Sequence, residues 1–214
     1  LMFFAFVITT TVGALTGVGI WFAASLDNPA SLGSLIRVFY FAWFTEWIVF
    51  VLEVIFIMVY YLTWKKSNKS PKSKKRHILF GVWLSRFSWL TMAIIVGILG
   101  FMMDPGSWVE KKSLVTGFLN PLYLPQLVFR TPVAMMMAGT VALVFVAYVL
   151  KKQNQWKTGI LKYISFWILL WMPVAASGAF LYYWHIPRAM IGNLPVALGT
   201  QQFQDWYSSL VNVM

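Results

Sequence analysis

The sequence predicts an all-α, polytopic transmembrane helix bundle of about five spans, and three observations carry that expectation. Of 214 residues, 60% are hydrophobic and only 11% are charged, against about a quarter charged in an ordinary soluble domain. Five stretches, Leu1 to Leu26, Leu35 to Trp64, Ile78 to Met103, Phe129 to Leu150 and Ile160 to Trp184, are long and apolar; roughly 20 such residues cross a hydrocarbon core of about 30 Å. Five apolar helices of such length leave no room for a separate soluble domain, so residues 1–184 read as one five-helix bundle and 185–214 as an extracytoplasmic tail. No internal repeat points to an inverted-repeat transporter.

Each span has its own justification. The first lacks the basic leading segment and small-residue cleavage site of a signal peptide, and its abrupt opening, LMFFAF, reads as cut from something longer. Within it Gly13 and Gly17 are four apart and Gly19 lies close behind, a small-xxx-small pattern that lets helix backbones approach closely. The second and fifth end in aromatic girdles, Tyr60, Tyr61, Trp64 and Tyr182, Tyr183, Trp184, of the kind that sit at membrane interfaces. In the fourth, Met135, Met136 and Met137 read as packing material.

The net charge of +11 raises the question of nucleic acid, but its distribution answers it. Seven of the 17 basic residues stand in KKSNKSPKSKKR, Lys65 to Arg76, and Lys151, Lys152 and Lys157 fill the next loop on that side. A positive-inside bias explains both clusters without nucleic acid. It places the start of the chain in the cytoplasm and the segments Asp27 to Ser34, Asp104 to Val128 and the tail from His185 outside, as in a bacterial-type inner membrane. Cysteine is absent, which excludes disulfides, thiolate nucleophiles and thiol-ligated metal. The two histidines, His77 and His185, sit at span ends, so no bis-histidine haem and no metal site is expected within the chain.

The informative residues are the ones lipid rejects: Glu46, Glu53, Arg86 and, nearer a span end, Arg130. Glu46 and Glu53 are seven residues apart, so they share one helix face about 10.5 Å apart along the axis. Glu53 lies 11 residues from Trp64 and Arg86 lies 8 from Ile78, a depth difference of only about 5 Å. That spacing predicts a Glu53–Arg86 ion pair, serving either helix packing or, with the carboxylates, a proton or ligand path. Arg130 is expected to start the fourth span, where its stem can snorkel outward or reach a cofactor carboxylate on a partner.

The order GALTGVGIWF, then FTEWIVFVLEVIF, then GFMMDP, then FLNP just before the fourth span resembles the amino-terminal half of subunit I of cytochrome bd-type quinol oxidases. The five spans would correspond to that subunit's second to sixth helices. The resemblance implies that Glu46 is the glutamate beside the oxygen-reducing haems and Glu53 the acid of proton delivery, although the two are one residue closer than in the family. The family's low-spin haem histidine is replaced by Arg130 in LVFRTP, and its other haem ligands fall outside this chain.

By the same resemblance, the chain would be a non-haem membrane subunit of a quinol-linked oxidoreductase complex. It would contact the bilayer and other membrane and cytochrome subunits, and haem would be held by those partners. Its tail would begin a segment like the family's quinol loop, with His185, Arg188, Gln201, Gln202, Asp205 and Trp206 as quinol-contacting groups. The alternatives are a portion of an intact haem-containing oxidase subunit, and a non-redox transporter or membrane anchor, in which intramembrane charge is also ordinary.

Overall fold

The computed structural model describes residues 2–27, 29–67, 69–149 and 155–191. Every regular element among them is helical: α1 (Met2–Asp27), α2 (Pro29–Ser67), α3 (Pro71–Met103), α4 (Trp108–Lys111), α5 (Leu114–Phe118), α6 (Tyr123–Val149), α7 (Gln155–His185) and α8 (Arg188–Ile191). Five of these, α1, α2, α3, α6 and α7, are long and apolar enough to cross a membrane. The chain is a multi-pass membrane protein. Large apolar side chains such as Leu15, Phe44, Leu62, Phe166 and Phe180 stand exposed on the outside of the bundle, as is normal where lipid rather than water is the solvent.

The helices overrun the expected spans. The outer loop expected at Asp27 to Ser34 is mostly helix, because Pro29 starts α2 at a position where its missing N–H costs nothing. At 39 residues α2 is about 58 Å long and bends at Phe39 (φ −107°, ψ 20°). Ser70 caps α3 by accepting from the Ser73 N–H at 3.2 Å, with Pro71 in the first turn. α6 begins at Tyr123, six residues before the expected start. Pro125 is the third residue of that helix, where no intrahelical acceptor is waiting.

Two antiparallel hairpins make the bundle, α2 against α3 and α6 against α7, joined where α3 meets α6. The second hairpin closes on glycines. A Cβ on Gly178 would fall 2.8 Å from the Val128 carbonyl oxygen and from Phe129 Cα. Val128 is four residues before Pro132, whose missing N–H leaves that carbonyl without its helical partner, so α7 approaches at the turn Pro132 has opened. Gly139 similarly receives Ile168 and Trp167. At the basic end Lys157 Nζ donates to the Ala147 carbonyl at 2.9 Å, a cation at the negative end of α6. Lys157 is thus a buried residue of α7.

The segment between α3 and α6 folds back onto α3, and the FLNP motif does the packing. A Cβ on Gly97 would lie 2.6 Å from the Phe118 ring, one on Gly100 would collide with Asn120 Oδ1, and one on Gly106 would lie 2.5 Å from Pro121 Cδ. Buried Asn120 donates to the carbonyls of Gly97 (2.8 Å) and Gly117 (3.0 Å) and accepts from the Leu122 N–H (3.2 Å). Gly106 adopts φ +51°, open to glycine at no steric cost, and its N–H is taken by Asp104 Oδ1 at 2.9 Å.

The small-residue face of α1 meets nothing among the described residues: no heavy atom of theirs lies within 4 Å of a Cβ placed on Gly13, Gly17 or Gly19. The close helix contact expected there is absent among the described residues. α1 attaches instead through Trp21, edge-on to Trp43 at 4.5 Å, beside the core of Leu35, Phe39 and Ile98.

Candidate functional site

The α2–α3 seam carries the polar groups of interest. The two helices run antiparallel, so Thr63 meets His77, Tyr60 meets Gly81, and Glu53 meets Ser88. Glu53 is buried, 8% exposed. Its Oε1 accepts from Ser88 Oγ at 2.6 Å and its Oε2 from Thr91 Oγ1 at 3.2 Å. Ser88 and Thr91 are three residues apart and so share the face of α3 turned to α2.

This geometry replaces the expected Glu53–Arg86 pair. Arg86 is roughly 160° around α3 from Ser88 and roughly 140° from Thr91, which puts it on the far side of the helix. It is exposed there, its guanidinium 5.1 Å from the Trp83 ring centroid. Spacing gave the depth of Arg86 correctly and its direction wrongly.

Thr91 has one hydroxyl proton and two acceptors, Glu53 Oε2 and the Phe87 carbonyl at 3.0 Å. With Glu53 ionised, Thr91 donates to the carboxylate. With Glu53 protonated on Oε2, the acid donates to Thr91, and the threonine turns to Phe87. Both protonation states are therefore hydrogen-bonded without moving either helix. Glu46, on the same face two turns along, is half-buried and has no hydrogen bond or ion pair among the described residues.

Toward the basic end aromatic rings line the seam. Phe56 packs against Phe80 (centroids 6.3 Å apart) and Phe87 (5.2 Å). Beyond them His77, 7% exposed, stacks on Tyr60 at 4.2 Å, meets Trp64 edge-on at 5.4 Å, and shares a 2.8 Å Nδ1 hydrogen bond with Thr63 Oγ1. Its Nε2 is buried with no partner among the described residues. The basic run next to His77 concealed this burial from a linear reading.

A second polar knot lies at the opposite end. Gln126, 1% exposed, donates through Nε2 to Tyr182 Oη at 3.1 Å, and Tyr182 Oη donates to Met103 Sδ at 3.4 Å. Gln126 Oε1 is buried without a partner among the described residues. Tyr182 is thus tied into the bundle rather than serving simply as a girdle residue. Arg130 sits seven residues into α6, exposed, not at its start. Its neighbour Thr131 accepts from Trp89 Nε1 at 3.1 Å, linking α6 to α3. His185 is exposed at the end of α7, its Nδ1 2.8 Å from the Leu181 carbonyl oxygen, and Arg188 is exposed in α8. Gln201, Gln202, Asp205 and Trp206 lie outside the described residues.

His77 Nε2 lies buried near Tyr60 and Trp64, whereas His185 is exposed, with Nδ1 held by the Leu181 carbonyl and Nε2 without a hydrogen bond among the described residues. Comparison with family models, curated proteins and solved structures finds no match. The chemistry of the site therefore rests on its own geometry. The sequence singles out Glu46 and Glu53 but not Ser88, Thr91 or Gln126. Ser88 and Thr91 had a signal, two hydroxyls three apart at the depth of Glu53 on the next span. Gln126 fell within an expected loop.

Proposed function

We propose that this chain is a membrane subunit of a quinol-linked respiratory electron-transfer complex, built like subunit I of cytochrome bd-type oxidases, that carries protons through Glu46 and Glu53 while partner subunits hold the redox cofactors. The basic loop of Lys65 to Arg76 faces the cytoplasm by the positive-inside rule. The quinol-contacting end is the opposite one, where His185 and Arg188 lie.

The observation that carries this reading is a carboxyl group buried inside a membrane span between two hydroxyls that serve it in either protonation state. Intramembrane acids of this kind mark proton relays and ion paths. Glu46 and Glu53 have different parts. Glu53 is held by hydrogen bonds and positions the relay, whereas Glu46, without such bonds, is the group free to take and release a proton. Phe56, Phe80 and Phe87 lie between this pair and His77, which supports entry of protons to Glu53 from the Glu46 side of the seam.

A subunit inventory of the native complex, with a pyridine haemochrome spectrum of each chain, tests the assignment. Cytochrome partners and no haem on this chain agree with it. A complex with a transported solute and no redox partner contradicts it.

A further inference from the structure

Among the described residues, Arg86 is a charge without a counter-charge. Of the six acidic residues, Glu53 is occupied by Ser88 and Thr91 on the far face of α3. Glu46 is on that same face of α2, Asp27, Asp104 and Glu110 stand at the other end of the bundle, and Asp205 lies outside the described residues. Arg86 is exposed on the outside of α3, eight residues past Ile78, so its Cα is about 12 Å inside the apolar run. The side chain leans toward the basic end, over Trp83 one turn back, which recovers only part of that depth. Exposed Leu79, Val82 and Leu90 surround it, so lipid tails are otherwise its neighbours, and an isolated charge at that depth is costly.

Its surroundings have the composition of a docking face. Val82, Trp83, Arg86, Trp89 and Leu90 fall within an arc of roughly 120° on α3, and all are exposed. Trp89 is pinned by its bond to Thr131 on α6 and presents a rigid ring. Trp and Arg are the residue types that dominate binding energy at interfaces, because they bury large area around one oriented polar group.

We propose that this face of α3 seats a transmembrane helix of a partner subunit, which brings an aspartate or glutamate to Arg86 between flanking apolar side chains. A helix fits better than a lipid headgroup, since it delivers a single carboxylate at fixed depth while covering Val82 and Leu90 with apolar surface. The inference stands on Arg86 and its neighbours and holds whichever electron carrier the complex uses.

The test is photo-crosslinking in native membranes, with a benzophenone amino acid placed at Val82 or Leu90, and at Leu169 on exposed α7 as the control. The expected result is an adduct from Val82 and Leu90, but not from Leu169, on one transmembrane peptide that holds an acidic residue within a helical turn of the adduct. Arg86→Glu should abolish the adduct, Arg86→Lys should keep it, and changing the partner's acid to arginine should restore it in the Arg86→Glu background. Adducts confined to phospholipid, to a cofactor or to residues 192–214 of the same chain would overturn the proposal. So would a yield indifferent to Arg86→Glu, or failure of the exchanged pair to restore it.

Discussion

Ser88 Oγ donates to Glu53 Oε1 at 2.6 Å across the α2–α3 seam, and this short bond, rather than an ion pair, satisfies the buried carboxyl. Hydrogen bonds to charged groups contribute about 1.5–3 kcal/mol each. Ser88→Ala should therefore destabilise the protein by about that amount in detergent unfolding, and Thr91→Val by less, given its longer bond. In a Glu53→Leu background the Ser88→Ala cost should shrink toward zero, since no carboxylate is left stranded. Equal costs in both backgrounds would remove the bond from the account.

Arg86 and Glu53 lie on different faces and share no contact, so their effects should add within about 0.5 kcal/mol. A double-mutant cycle with Arg86→Leu and Glu53→Gln measures this directly. A coupling energy of several kcal/mol would restore the ion pair that spacing alone had suggested.

The fold-back segment gives a steric prediction. Gly100→Ala pushes a methyl group into Asn120, and Gly97→Ala pushes one into Phe118; overpacking of this kind costs about 1–3 kcal/mol. Because the chain has no cysteine, a single cysteine at buried Leu122 reports the displacement. Its maleimide labelling should be slow in the parent and markedly faster in Gly100→Ala. Equal rates would mean that the FLNP segment does not depend on the two glycines.

Orientation is testable with the same chemistry. A cysteine at Ser70, in the basic connection, should react with a membrane-impermeant maleimide only after the cytoplasmic face is opened. One at Ser107 should react in intact cells. The reverse pattern would invert the proposed topology.

The five spans were legible because apolar length is a one-dimensional property, and the charged residues within them stood out for the same reason. Depth was legible too: counting from span ends placed Arg86 close to the level of Glu53. Azimuth was not, because two residues along α3, from Arg86 to Ser88, turn a side chain from one side of the helix to the other.

Glycine spacing misled in a similar way. Gly13 and Gly17 have the familiar four-residue interval and touch nothing among the described residues, while Gly97, Gly100 and Gly178 hold the packing against partners distant in sequence. The burial of His77 and Gln126 was hidden by their neighbours, a run of lysines and a proline-rich connection, whose polarity says nothing about which way one side chain points.

The proton relay through Glu46 and Glu53 is the central claim, and turnover of the native complex with quinol as donor, measured across pH, tests it most directly. Glu46→Gln should leave the amount of assembled complex unchanged and slow turnover on the order of 10²-fold, the usual cost of losing a positioned proton carrier, with Glu46→Asp recovering part of the rate. Full turnover of assembled Glu46→Gln at every pH would contradict the account.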